Sequence, residues 1–178
     1  YIYFSHLKVL SMVQTFYASP KINRHGDYRS DPQILNKIMA DENTSFIPVY
    51  KGKNLFKQIH NNFEALILNN KDLKKILPND MINPIFLGVA NNISYVGFNI
   101  GESDLDIDLW CEENSIIIDD LRKFGPTLNE IDASFLALTS GMFFWHNTHK
   151  FCGSCGYSNI PTEGGFVRVC SNTFCGKS

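Results

Sequence analysis

Four cysteines near the C-terminus constrain this chain more than any other feature. They fall in two short runs, Cys152-Gly-Ser-Cys155 and Cys170-Ser-Asn-Thr-Phe-Cys175, with fourteen residues between them. Two Cys-bearing turns at that spacing can bring four thiolates to the corners of a tetrahedron. Structural zinc prefers such a closed shell, because the ion has no d-electron geometry of its own and suits soft sulfur ligands. Gly153 and Gly156 each follow a cysteine, so the backbone can turn tightly beneath a metal. The C-x4-C half is looser than the C-x2-C of a symmetric ribbon, and a pair of disulfides is the competing reading. Zinc is the expected occupant, with Cys152, Cys155, Cys170 and Cys175 as its ligands.

Composition excludes several classes of function. The 178 residues carry a formal net charge of −2 and are 44% hydrophobic, so there is material for one sizeable core plus an appendage and no global basic field to recruit nucleic acid. No apolar run approaches the roughly 18 residues of a membrane span. The opening Tyr1-Ile-Tyr-Phe-Ser-His-Leu-Lys-Val-Leu10 has neither a basic n-region nor a small-residue cleavage site, which argues against a signal peptide. Five cysteines, four of them clustered, fit a reducing compartment, and a cytoplasmic protein is expected. The fifth, Cys111, follows Trp110 in an apolar stretch and reads as a small buried hydrophobe. The sequence begins without Met and ends three residues after Cys175, so a fragment or processed product of a longer protein is expected.

The elements predict an α+β fold with a mainly antiparallel sheet in residues 1–126, a linker helix in 127–150, and a small four-cysteine ribbon in 151–178. Residues 11–30 are polar, interrupted by Pro20 and Gly26, and read as an extended arm. Asp31-Pro32 opens a short helix as N-cap and first helical residue. Strands are expected at 46–50, 64–68, 85–90, 93–100 and 116–118, with Asn91-Asn92 as a two-residue hairpin turn. Lys71 to Leu77 is a short helix or a turn. Asp104, Asp106 and Asp108 alternate with Leu105, Ile107 and Leu109, the period of a strand with an acidic outer face. They lack the Gly and terminal Glu of a calcium loop. Strands in hairpins outnumber any βαβ alternation.

The linker helix carries the strongest local signal. Thr127-Leu-Asn-Glu130 matches a capping box, and Ile131, Phe135, Leu138, Met142 and Trp145 recur at helical spacing as a core-facing stripe. The helix would dock the ribbon on the first domain. His146 and His149, near the first cysteine pair, are expected to supply helix-end charge and hydrogen bonds behind the thiolates rather than to ligate.

The segment Phe143-Phe-Trp-His-Asn-Thr-His-Lys-Phe-Cys-Gly-Ser-Cys-Gly156 resembles the linker helix and first zinc knuckle of NADH pyrophosphatases, the zinc-ribbon branch of the Nudix hydrolases. Glu163-Gly-Gly-Phe-Val-Arg-Val-Cys170 is similar to the family's Gly-Gly-aromatic-x-Arg-x-Cys strand. Phe16 through Arg24, with Ile22-Asn23-Arg24, resembles the family's opening arm, and Arg29, Ser30 and Asp31 continue it. Leu121-Arg122 stands where the family often has Leu-Arg.

The resemblance implies hydrolysis of the pyrophosphate of NAD(H) to AMP and nicotinamide mononucleotide, in some members on NAD-capped RNA. It implies Mg²⁺ or Mn²⁺ at the reacting phosphates and a homodimer. The carboxylates for that chemistry belong to the Nudix box, Gly-x5-Glu-x7-Arg-Glu-x2-Glu-Glu-x-Gly, which does not occur in these 178 residues; Glu112-Glu113 is the only adjacent glutamate pair. No catalytic residue is carried over, and the chain alone is expected to be inert. Arg122 is carried over as a phosphate clamp. Glu163 is carried over as an acidic substrate contact, although counting back from Cys170 puts Gly165 at the family position.

The rival reading is a non-catalytic zinc-ribbon module that binds RNA or a protein partner. The near-neutral ribbon, in which Lys150, Arg168 and Lys177 are the basic residues, weakens its nucleic-acid form. No Gly-rich phosphate loop and no nucleophile elbow is present.

Overall fold

The computed structural model describes residues 16–77, 83–103 and 105–178; the opening apolar segment, the first residues of the arm and Asp104 lie outside these. The chain order is α1 (Pro32–Ala40), β1 (Ser45–Tyr50), β2 (Lys53–Ile59), β3 (Asn62–Ala65), α2 (Asn70–Ile76), β4 (Ile85–Ala90), β5 (Ile93–Asn99), α3 (Ile107–Glu113), β6 (Ile116–Asp119), α4 (Leu121–Phe124), α5 (Glu130–Thr148), β7 (Asn159–Thr162) and β8 (Val167–Cys170). β3-β2-β1-β5-β4 form one sheet in that order, with β6 added along β2, while β7 and β8 form a separate ribbon.

The fold is α+β with a sheet rich in antiparallel pairs. Its central junction differs: β1 runs parallel to β5, from Ser45 opposite Tyr95 to Val49 opposite Asn99. Continuous apolar runs such as Phe46-Ile47 and Ile85-Phe86-Leu87 follow from burial on both faces. Ile47, Val49, Phe56, Ile85 and Leu87 point to one side, where α5 packs. Phe46, Leu55, Phe86, Val96 and Phe98 point to the other, beneath α1, α2 and α3. Pro48 sits in an inner strand without breaking it. The Phe46 N–H faces Leu68 and the ladder to β2 resumes only at Val49, so the donor that proline lacks falls where that edge has no pairing.

Several expected elements form for the stated reasons. Asp31 caps α1 by accepting from Gln33 N at 2.8 Å, with Pro32 at the first helical position. Asn91 and Asn92 both adopt positive φ, 50° and 62°, as a tight two-residue hairpin demands. Residues 70–76 are helical. The 64–68 strand is shifted: β3 ends at Ala65, and Leu68 pairs separately with Phe46.

Three expectations are corrected. Residues 107–113 form a helix, because the Asp106 carboxylate accepts from Leu109 N at 3.1 Å and places Ile107 and Cys111 on one buried face; a cap and an i, i+4 apolar pair outweigh the alternation. The cap of α5 is Asn129, which accepts from Asp132 N at 2.9 Å, since Gly125-Pro126-Thr127 is tied into a 3-10 turn. The buried face of α5 is also rotated. Phe135, Leu136, Thr139, Phe143 and His146 are buried, whereas Ile131, Leu138, Met142 and Trp145 are half-buried.

The arm is pinned rather than loose over residues 19–29. Ser19 N donates to Ser134 Oγ at 2.9 Å, and Glu130 accepts from Ser19 Oγ at 2.9 Å and pairs with Lys21 at 3.0 Å. Asn23 exchanges backbone bonds with Val89 at 2.9 and 2.8 Å, which closes the outer edge of β4. Phe135 is fully buried and stacked on Tyr95 at 4.1 Å. Replacing it by alanine is expected to cost about 3–5 kcal/mol in urea unfolding; a loss under about 1 kcal/mol would contradict the packing described.

Candidate metal centre

The four cysteines come together. Their sulfurs all lie within 4.8 Å of one another, a set able to hold a metal ion. Cys155 Sγ is 3.3 Å from Cys170 Sγ, and Cys152 Sγ is 3.9 Å from Cys175 Sγ. A tetrahedron with zinc–sulfur bonds of about 2.3 Å has sulfur–sulfur edges of about 3.8 Å, so the donor set fits zinc in number, element and spacing. No cysteine is in a disulfide.

Each knuckle is built by backbone hydrogen bonds. In the first, Gly156 N donates to Cys152 O at 2.9 Å, Cys152 N donates to Tyr157 O at 2.7 Å, and Ser154 N reaches Cys152 Sγ at 3.4 Å. In the second, Cys175 N and Gly176 N both donate to Asn172 O at 2.9 Å, and Cys170 N donates to Lys177 O at 2.9 Å. The N–H groups of Ser154 and Cys155 favour a thiolate at Cys152 and draw its pKa down to about 6. Burial drives Cys170 the other way, up to about 12. A dication among the thiolates would supply compensating charge.

The ribbon is seated on the sheet by the turn between its strands. Gly164 and Gly165 take positive φ, 59° and 91°, at close approach. A Cβ on Gly165 would lie 2.9 Å from Ile85 Cγ1, and one on Gly164 would lie 3.3 Å from Phe86 Cβ. The paired glycines are thus required by backbone conformation and by contact with β4. Buried His146 fixes the same turn. Arg168 Nη1 donates to His146 Nδ1 at 2.9 Å, which leaves Nε2–H to donate to Gly165 O at 2.7 Å. Burial lowers the proton affinity of His146, in keeping with a neutral ring. Arg168 also bonds Asn159 O at 2.8 Å across the β7–β8 pair, and Arg29 of the arm lies over the Phe166 ring at 3.4 Å.

Of the two histidines expected at the helix end and behind the thiolates, His149 stands at the helix end, and neither bonds a cysteine among the described residues. His146 serves the glycine turn. His149 ends α5, its N–H bonded to Trp145 O at 2.9 Å and its ring against Thr148 and Trp145. Arg122 is exposed and forms a two-pronged pair with Asp120, at 3.1 and 3.0 Å, that pulls the carboxyl down to about 2. It makes no hydrogen bond to the ribbon among the described residues. Glu163 opens the glycine turn at φ 49° and is solvent-exposed; its charge acts on Arg29. Sequence reasoning missed Arg29, Arg168 and Gly165 as docking residues, although the Gly164-Gly165 pair was a visible signal.

Fold and site together define an α+β domain that carries a four-cysteine ribbon. No family model matches the sequence. The chain is similar to the NAD-capped RNA hydrolase of Schizosaccharomyces pombe, 24% identical over 94% of this chain and 52% of that protein. It is also similar to NAD-capped RNA hydrolase NUDT12 of Macaca fascicularis, 28% identical over 61% of this chain and 28% of that protein. The chain thus spans about half the length of the first and little more than a quarter of the second. Both relatives are named for the hydrolysis of NAD-capped RNA. Among the described residues, no helix is long and apolar enough to cross a membrane.

Gly165→Ala is expected to unseat the ribbon, with faster amide exchange at residues 159–170 and an unchanged sheet. Gly153→Ala, which meets nothing within 4 Å, should leave exchange as it is. Equal protection in both variants would refute the docking role of the glycine turn.

Proposed function

We propose that this chain is the N-terminal α+β domain and structural zinc ribbon of a Nudix-type hydrolase that cleaves the pyrophosphate of NAD(H), releasing AMP and nicotinamide mononucleotide. Cys152, Cys155, Cys170 and Cys175 hold the zinc. The observation that carries this reading is the four-thiol cluster, in a chain aligned over nearly all its length with a relative named for hydrolysis of NAD-capped RNA. NAD-capped RNA is accordingly the second substrate class.

The metal has a structural part: four thiolates close its shell and leave no position for water or substrate. Cleavage of the diphosphate needs hard cations, Mg²⁺ or Mn²⁺, held by carboxylates, and on this reading a Nudix box outside these 178 residues supplies them. The portion described here would position that machinery in a cytoplasmic homodimer. Arg122 would serve as a phosphate clamp only after leaving Asp120, and Glu163 as a rim contact beside Arg29.

The polypeptide encoded by the complete gene, supplied with Mg²⁺ or Mn²⁺, is expected to convert NADH to AMP and reduced nicotinamide mononucleotide and to release capped RNA as a 5′-monophosphate. The 178-residue chain should do neither. Product analysis by liquid chromatography reads both. An inactive complete protein, together with salt-dependent RNA binding by this chain, would replace the proposal with a binding module.

A further inference from the structure

On the sheet face opposite α5, between α2 and α3, lies a cavity of about 350 Å³, within the range of roughly 300–1,000 Å³ typical of small-molecule sites. Buried Leu66, Leu68 and Ile116 supply an apolar surface within it. Half-buried Trp110 lines it from α3, while Lys75 and Asp72 line it from α2 and Lys57 from β2.

The charges are unevenly matched. Lys75 Nζ is held 2.9 Å from Asp72 Oδ1. Lys57 stands in register with Glu64 on β3 and makes no ion pair within 4 Å among the described residues. Asn114, which donates through Nδ2 to Trp110 O at 2.8 Å, lines the same rim. An apolar surface and an indole favour a flat ring, which buries area against them. A lysine ammonium without a close partner favours an anion, as a charge-assisted hydrogen bond. A purely apolar ligand would leave Lys57 unused, and inorganic phosphate would leave the apolar surface wet.

We propose that this cavity binds an aromatic anion of mononucleotide size, its ring against Trp110 and its phosphate at Lys57 and Lys75. The site belongs to the α+β domain itself and does not depend on the zinc or on the hydrolase reading.

The test is a titration of the ¹⁵N-labelled, zinc-loaded 178-residue chain with AMP, adenosine and inorganic phosphate, followed by NMR. AMP is expected to saturate with a Kd between about 10 μM and about 1 mM, moving the Trp110 indole N–H and amides of β2 and α2. Adenosine and phosphate should each bind at least about tenfold more weakly. Lys57→Gln, at an exposed position outside the core, should keep the spectrum of a folded protein and weaken AMP about fivefold or more. No saturation by AMP up to roughly 10 mM, shifts confined to other surfaces, or an affinity untouched by K57Q would each overturn the proposal.

Discussion

Burial of α5 against the sheet is the contact on which the rest of the molecule rests. Phe135 and Leu136 on this helix are almost completely withdrawn from solvent and join the core on the β1–β5–β4 face. The first turn of the same helix receives the arm through Ser19 and Lys21. More than four turns further on it presents His146 to the glycine turn of the ribbon. One rigid element therefore fixes the arm, the sheet and the four thiols in a single frame, and the thiols inherit their position from hydrophobic packing some distance away.

The joint with the ribbon is polar where it must be specific and tight where it must be close. His146 is buried, yet both its ring nitrogens are satisfied, one by Arg168 and one by Gly165, so its burial costs little. Gly164 and Gly165 let the turn reach Ile85 and Phe86 on β4. Arg29 closes the third side by lying on Phe166. These contacts orient the ribbon, and the thiolate cluster gives it internal order. A domain this small has little apolar area of its own, so a metal is the usual way to hold it together.

Much of this was legible in the sequence because the signals are local. Cysteine spacing marked the four-thiol cluster, Asp31-Pro32 marked the start of α1, and Asn91-Asn92 marked the tight hairpin. Other features depend on partners distant in the chain. The parallel pairing of β1 with β5 joins strands separated in the chain by β2, β3, α2 and β4, so no local signal announces it. β2 escaped notice because Leu55 and Phe56, adjacent in sequence, go to opposite cores while Lys57 and Gln58 are exposed, so no alternation survives. α5 buries Ser134, Thr139 and His146, and polar residues on the inner face hid its true orientation. The glycine turn was recognisable as a motif, but its reason, the approach to Ile85, exists only in three dimensions.

We propose that one zinc ion, enclosed by the four thiolates, organises the ribbon. X-ray absorption at the zinc edge of the purified chain, with metal content measured on the same sample, tests it most directly. One zinc per chain surrounded by four sulfur scatterers at about 2.3 Å is the predicted result. A shell containing nitrogen or oxygen, or a chain that carries no zinc and pairs its cysteines as disulfides, would contradict it.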